Sequence, residues 1–422
     1  MFKPLLACLS IVLSAPVYSI TTSDGQCAPL NALQQVNPAD YPILAEVLQQ
    51  SDKYRLQIIY TEVNRDADNT PHTRCFEFGV DEQRYFYPAS TVKLPIAALA
   101  LEWLDEQQVK GLSADSTMLT DTALPWQTAQ HSDETAQNGL PSIAHYIKQI
   151  LLVSDNNSSN RLYELLGQDF INSRLAEKGL NNTVINHRLS LPLSAEQNQL
   201  VNPVRFLNQD GQLLLSVPAK QATKRYENPG QPVLGKGYMR NGELVGQPMS
   251  FVDKNRQSLT DFDGVIKRLV FPQLFSPQQR FALTPASRDL LLRYMAMLPP
   301  QSRYPTYDSK DYPQNYSKFL LFGGLKTPIP DAIRIFNKTG WAYGHIIDGA
   351  YIVDLDNKVE FFLSAVIYTN DNDILNDDQY QTEEIALPFL QQLGQYIYHL
   401  ELKRNKAHKP DLSEFEALTR VN

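Results

Sequence analysis

The chain is short of several things that would otherwise direct its reading. Cysteine occurs three times in 422 residues, at Cys8, Cys27 and Cys75, and histidine seven times. None of the histidines shows a metal-ligand spacing such as H-E-x-x-H, and so few thiols cannot build a zinc site alone. No G-x-x-x-x-G-K-[ST] or G-x-G-x-x-G loop is present, so a nucleotide cofactor has no support, and no cofactor of any kind is expected. Positive charge is scattered: the formal net charge is −8, and no cluster of five or more Lys and Arg interrupts that balance. A nucleic-acid partner is therefore not expected. Internal repeats and long low-complexity tracts are also missing. Beyond the N-terminus no stretch approaches the roughly 18 uninterrupted apolar residues of a membrane span.

What is present is the composition of an ordinary globular chain, with 43% hydrophobic and 20% charged residues. The N-terminus departs from it. Met1-Phe2-Lys3 is a short positive region, Leu5 to Ala15 an apolar run, and Val17-Tyr18-Ser19 a cleavage-like end. Residues 1–19 read as a cleaved export signal, which predicts a periplasmic or secreted protein. Removing Cys8 leaves Cys27 and Cys75, an even pair in an oxidising compartment, and predicts a disulfide between them.

Apolar spacing predicts a helix over 38–50, with Ile43, Leu44, Val47 and Leu48 on one side. Tyr54–Val63 and Arg74–Val80 read as strands, and Thr91–Glu106 as a helix with Leu94, Ala97, Leu101 and Leu104 on one face. Two more helices are expected over 142–153 and 157–166. From Leu191 to Phe281 the chain is rich in Pro, Gln, Asn and Gly, with no sustained period before Phe262. Thr284 and Pro285 are the N-cap and first residue of a helix reaching Met297. Three strands, Ala332–Gly340, Ile346–Leu355 and Val359–Thr369, precede a closing helix from Glu384 to about Lys403. Short turns between strands imply an antiparallel sheet, so the expected fold is an α/β (α+β) sandwich. The organisation expected is a single domain over 20–422, interrupted by an inserted segment at about 191–281.

Three short motifs stand out: Ser90-Thr91-Val92-Lys93, Ser154-Asp155-Asn156 and Lys338-Thr339-Gly340. Each alone is weak. In this order and these contexts they match the set of class A β-lactamases and penicillin-binding proteins. Tyr87 to Pro95 resembles that family's nucleophile helix, and Leu152 to Ser158 its second motif with the following helix. Leu283 to Leu291 is similar to the helix before its third motif. The resemblance spans about residues 40–190 and 283–400. It implies an antiparallel sheet flanked by helices beside a helical lobe, with the site between them.

The chemistry also follows from the residue types. A Ser hydroxyl is a poor nucleophile until a base takes its proton. In a helix, residues three apart share a face, which brings the Lys93 amine within reach of Ser90. Lys becomes a base only if burial or a nearby cation lowers its pKa, and Lys338 is a candidate for that cation. Ser154 is expected to relay a proton to the leaving group. Asn156 orients Lys93 or the substrate amide, and Lys338, Thr339 and Gly340 contact a substrate carboxylate. The resemblance further implies an oxyanion hole from the backbone N–H groups of Ser90 and Trp341. Tyr343, His345 and Asp348, just beyond the third motif, are candidates for the site's rim, against a plain hairpin turn at Gly344.

One departure from the family pattern matters. Class A enzymes carry a Glu that activates the deacylating water, on the loop after the second motif. The corresponding stretch here resembles Ile185-Asn186-His187-Arg188-Leu189-Ser190, with Asn186 at the Glu position. Asn takes no proton at neutral pH, and His187 is the one nearby substitute base. The expected activity is an exported serine hydrolase that cleaves an amide, peptide or β-lactam carbonyl through an acyl-enzyme on Ser90. The alternative is a covalently acylated sensor or penicillin-binding protein with slow deacylation. A small-molecule or peptide substrate is the expected partner, and nothing in the sequence marks an oligomeric state.

Overall fold

The computed structural model of the protein describes residues 27–325 and 327–419. The expected export signal and Cys8 lie outside the described residues. Six strands form the main sheet: β1 (Ala28–Pro29), β2 (Gln57–Arg65), β3 (Pro71–Phe78), β4 (Ile333–Ala342), β5 (His345–Asp354) and β6 (Val359–Tyr368). Their order is β1-β3-β2-β6-β5-β4. The five long strands pair antiparallel, as the short turns predicted, while the two-residue β1 adds parallel to β3. The Cys27–Cys75 disulfide staples the chain just before β1 to β3.

Strand residues alternate between two cores, as a pleated sheet buried on both faces requires. Ile58, Tyr60, Ile352 and Leu363 face one core, shared with helix α1 (Pro42–Gln49) and the C-terminal helix Leu387–Lys403. Ile59, Val63, Tyr351 and Phe362 face the other, which continues into the helical lobe. That lobe contains α2 (Lys93–Gln107), α3 (Ile143–Val153) and α4 (Asn156–Leu166). The helix predicted with one apolar face, α2, is buried without interruption from Lys93 to Leu104. Its one carboxylate in that run, Glu102, is neutralised by Lys178 at 2.8 Å. Beyond the predicted stripe, Ile96, Ala98, Leu99, Ala100 and Trp103 are apolar too, so the helix is buried all round rather than on one face.

The stretch expected as an insertion is not uniform. Arg256 and Gln257 pair antiparallel with Val184 and Thr183, closing the neck of an excursion over residues 185–255. The helix that follows, α5 (Leu259–Val270), packs on the main sheet through residues including Phe262, Val265 and Ile266. Midway through the excursion, Gly237 and Tyr238 pair parallel with Ile374 and Leu375, beyond β6. The excursion therefore leaves from one side of the molecule and is fastened to another. Helix α6 (Pro285–Ala296) starts as predicted, with the Thr284 hydroxyl accepting from the Ser287 N–H.

Candidate active site

Ser90 lies in a 3-10 turn, Ala89–Val92, that runs directly into α2, and the Lys93 N–H closes on the Ser90 carbonyl. Pro95 is tolerated because first-turn N–H groups have no helical partner. Edge strand β4 presses on this turn. A Cβ at Gly340 would stand 2.7 Å from the Pro88 carbonyl oxygen, so only glycine lets the third motif approach the first. The second motif arrives at the α3–α4 junction. Ser154 caps α3 with φ 59°, and the Asp155 carboxylate caps α4 by accepting from the Ser158 N–H.

These three chain segments meet around two buried amines. Lys93 Nζ donates to the Ser154 carbonyl at 2.5 Å and to Asn156 Oδ1 at 2.6 Å, with Ser154 Oγ 3.2 Å away. Lys338 Nζ donates to Ser154 Oγ at 2.8 Å and to the Thr339 carbonyl at 2.9 Å. Burial pulls the Lys93 pKa down to about 7, against a small opposing pull from Asp155. Burial likewise drives Lys338 well below the ordinary lysine range, and the neighbouring Lys93 cation lowers it further. The expectation that Lys338 lowers Lys93 is thus revised: desolvation is the main cause at both amines. A neutral Lys93 uses two N–H bonds on Ser154 and Asn156, and its lone pair is left for an incoming proton.

Ser90 opens into a cleft of about 820 Å³ that is also lined by Asn156, Ser190, Lys254, Trp341 and Tyr343. Trp341 is 50% exposed. Of the rim candidates beyond the third motif, Tyr343 lines this cleft, and with Gly344 it forms a positive-φ turn between β4 and β5. His345 and Asp348 do not reach it. Both are buried, and Asp348 accepts from the Phe319 and Leu320 N–H groups instead. A larger hollow of about 1110 Å³, beside His145, Lys148 and Tyr294, contains no residue of the three motifs.

His187 to Ser190 form one wall, and the candidate base on it, His187, is not available. Asn186 donates its side-chain amide to the Tyr226 carbonyl, inside the excursion. The His187 Nδ1 faces the Arg188 carbonyl at 2.7 Å, so it carries the proton and leaves Nε2 to accept from the Tyr87 hydroxyl. Burial first, and the Lys254 charge second, depress His187 to about 3. It is a neutral, satisfied residue.

Sequence reasoning gave no role to Ser190, whose Oγ accepts from Asn156 Nδ2 at 2.8 Å. It also missed the opposite rim, where Asp378, Tyr380 and Glu383 border the cleft. Ser190 was detectable as the last residue of the loop compared with the family. The rim carries no motif.

A family described as the beta-lactamase enzyme family matches residues 41–225, which include the first two motifs. This match supports a serine hydrolase of the beta-lactamase type. No curated protein sequence matches it. Among solved structures, PBP-A is similar at 19% identity over 88% of this chain and 98% of that one, with a TM-score of 0.48. A class A beta-lactamase of the last common ancestor of Gram-negative bacteria is similar at 15% identity, over 88% and 99%, with a TM-score of 0.48. The beta-lactamase from Streptomyces albus G is similar at 16% identity, over 85% and 98%, with a TM-score of 0.46. The assignment rests on the beta-lactamase family match.

Proposed function

We propose that the protein is an exported serine hydrolase that forms an acyl-enzyme on Ser90 with a β-lactam or a peptide amide. The carrying observation is Lys93: a buried amine one turn from Ser90, held by Ser154 and Asn156, with a pKa drawn down to about 7. In this reading neutral Lys93 takes the Ser90 proton as Oγ attacks the carbonyl carbon. The N–H groups of Ser90 and Trp341 receive the oxyanion, consistent with the close approach at Gly340. As the C–N bond breaks, Ser154 passes its proton to the leaving nitrogen and regains one from protonated Lys93, 3.2 Å away, while Lys338 steadies the Ser154 oxygen. Thr339 and Lys338 face a substrate carboxylate. Export is supported by the N-terminal signal pattern and by the Cys27–Cys75 bridge.

Intact-mass spectrometry after incubation with penicillin G and with a fluorophosphonate tests the reading. A single adduct mapping to Ser90 supports it, and a folded protein that takes neither probe would sink it. A second reading, acylation with slow release, is favoured by one observation: both ring nitrogens of His187, the one candidate base on the loop, are already paired. The lifetime of the penicillin adduct separates the two readings, with decay in seconds for turnover and persistence over hours for a sensor.

A further inference from the structure

The wall loop Ile185–Leu189 is buried and has no regular structure over Asn186–Leu189, so its backbone polar groups need partners from outside. The partners on the N–H side are side-chain amides of asparagine. Asn172 Oδ1 accepts from the Ile185 N–H at 2.9 Å. Asn255 Oδ1 accepts from two successive groups, Asn186 at 2.9 Å and His187 at 3.2 Å. Asn198 and Asn160 take the Arg188 and Leu189 N–H groups, each at 2.8 Å. The carbonyls of Ile185 and Leu189 return to Asn172 and Asn160.

Directly after this cradled stretch comes Ser190, in the left-handed region at φ 56°. Its Oγ receives Asn156 Nδ2, and Asn156 Oδ1 receives Lys93 Nζ. A continuous hydrogen-bonded path thus leads from the cradle to the amine. Asn255 is the member the excursion contributes. It is fully buried, sits at the excursion's neck, and its carbonyl also takes the Tyr85 hydroxyl at 2.8 Å, five residues before Ser90. No other cradle asparagine supports two loop N–H groups at once.

We propose that Asn255 is a positioning residue: it sets the wall loop, and through Ser190 and Asn156 fixes the Lys93 amine for reaction at Ser90. The inference rests on the proposed acyl-enzyme chemistry. The charged groups facing Lys93 are Asp155 and Lys338, and neither is touched by a change at Asn255.

The test compares Asn255→Ala and Asn255→Asp in the full chain, with folding verified by circular dichroism. Asn255→Ala should acylate roughly 10²-fold more slowly, the scale of a small misplacement of reacting groups. The midpoint of its pH–rate profile should also move upward, because a loosened Lys93 is better hydrated. Asn255→Asp keeps an acceptor for both N–H groups and should recover most of the rate. A folded Asn255→Ala with the wild-type rate and pH midpoint overturns the proposal. So does a fall in melting temperature with no change in the pH profile, the mark of a purely structural role. Should Asn255→Ala not fold, Asn198→Ala, which frees the Arg188 N–H, is read by the same criteria. If the wild type itself gives no Ser90 adduct, the acyl-enzyme reading fails. The cradle is then judged from the pH at which the Lys93 ¹⁵Nζ resonance titrates in wild type and Asn255→Ala.

Discussion

Lys338 and Lys93 point their amines at the same oxygen, Ser154 Oγ, from 2.8 and 3.2 Å. Two ammonium groups that close in a buried site repel, so at most one is comfortably charged near neutral pH. In the proposed reaction the two amines divide the work, and their removal should have different consequences. Lys93→Ala should slow acylation for every substrate by roughly 10²–10⁴-fold, the usual cost of losing a general base. Lys338→Ala should penalise carboxylate-bearing substrates more than neutral esters. Equal losses on both substrate types in both variants would contradict the assigned roles.

The pH dependence has a definite sign. As the proposed base, Lys93 can act only when neutral, and its pKa is drawn down to about 7. The acylation rate should therefore rise as pH increases through about 7 and level off above 8. A stopped-flow profile that is flat from pH 5 to 9, or that falls through 7, would remove Lys93 as the base.

Gly340 makes a separate prediction. In Gly340→Ala the new Cβ meets the Pro88 carbonyl oxygen at 2.7 Å, and this neighbour is backbone of the Ser90 turn. Overpacking of this kind costs about 1–3 kcal/mol. The variant should lose stability in chemical denaturation, and any folded fraction should acylate poorly because β4 has been pushed from Ser90. Wild-type acylation by Gly340→Ala would show that the close approach is not needed.

The Cys27–Cys75 bridge spans a sequence separation of 48 residues. In the chain-entropy description, closing a loop of that size stabilises by about 4 kcal/mol before any strain. Thiol titration of the protein lacking residues 1–19, unfolded without reductant, should find no free thiol. Two thiols per chain would refute the bridge in solution.

The excursion joins both rims of the cleft: Leu191, Pro192 and Lys254 line one side, and its Gly237–Ile374 pairing ends beside Asn376 and Asp378 on the other. We expect this strap to restrict bulky acyl groups. Gly237→Val should disturb the seam, since even a Cβ there falls 3.1 Å from Ile374 Cδ1 across it and 2.9 Å from the Val245 carbonyl oxygen of the excursion's own hairpin. It should accelerate Ser90 labelling by bulky fluorophosphonates more than by small ones. An unchanged ratio between probe sizes in the folded variant would show that the strap does not gate entry.

What the sequence determined by itself was local. Apolar-rich runs between short turns marked the long strands, and the Thr284-Pro285 pair marked the start of α6, because composition and capping are properties of neighbouring residues. The three motifs named Ser90, Lys93, Ser154, Asn156 and Lys338, because Ser with Lys one turn on restricts the chemistry whatever surrounds it. Tertiary structure alone decided the rest. Burial, rather than a second cation, proved to be the main cause lowering Lys93, and burial depends on the chain packed around α2. His187 was legible as a possible base, yet only the fold showed Tyr87 against its Nε2 and the Arg188 carbonyl against its Nδ1. The asparagine cradle joins residues as far apart as Asn160 and Asn255 around one irregular loop. No local period reports such a loop, since its hydrogen bonds run to side chains that only folding brings near.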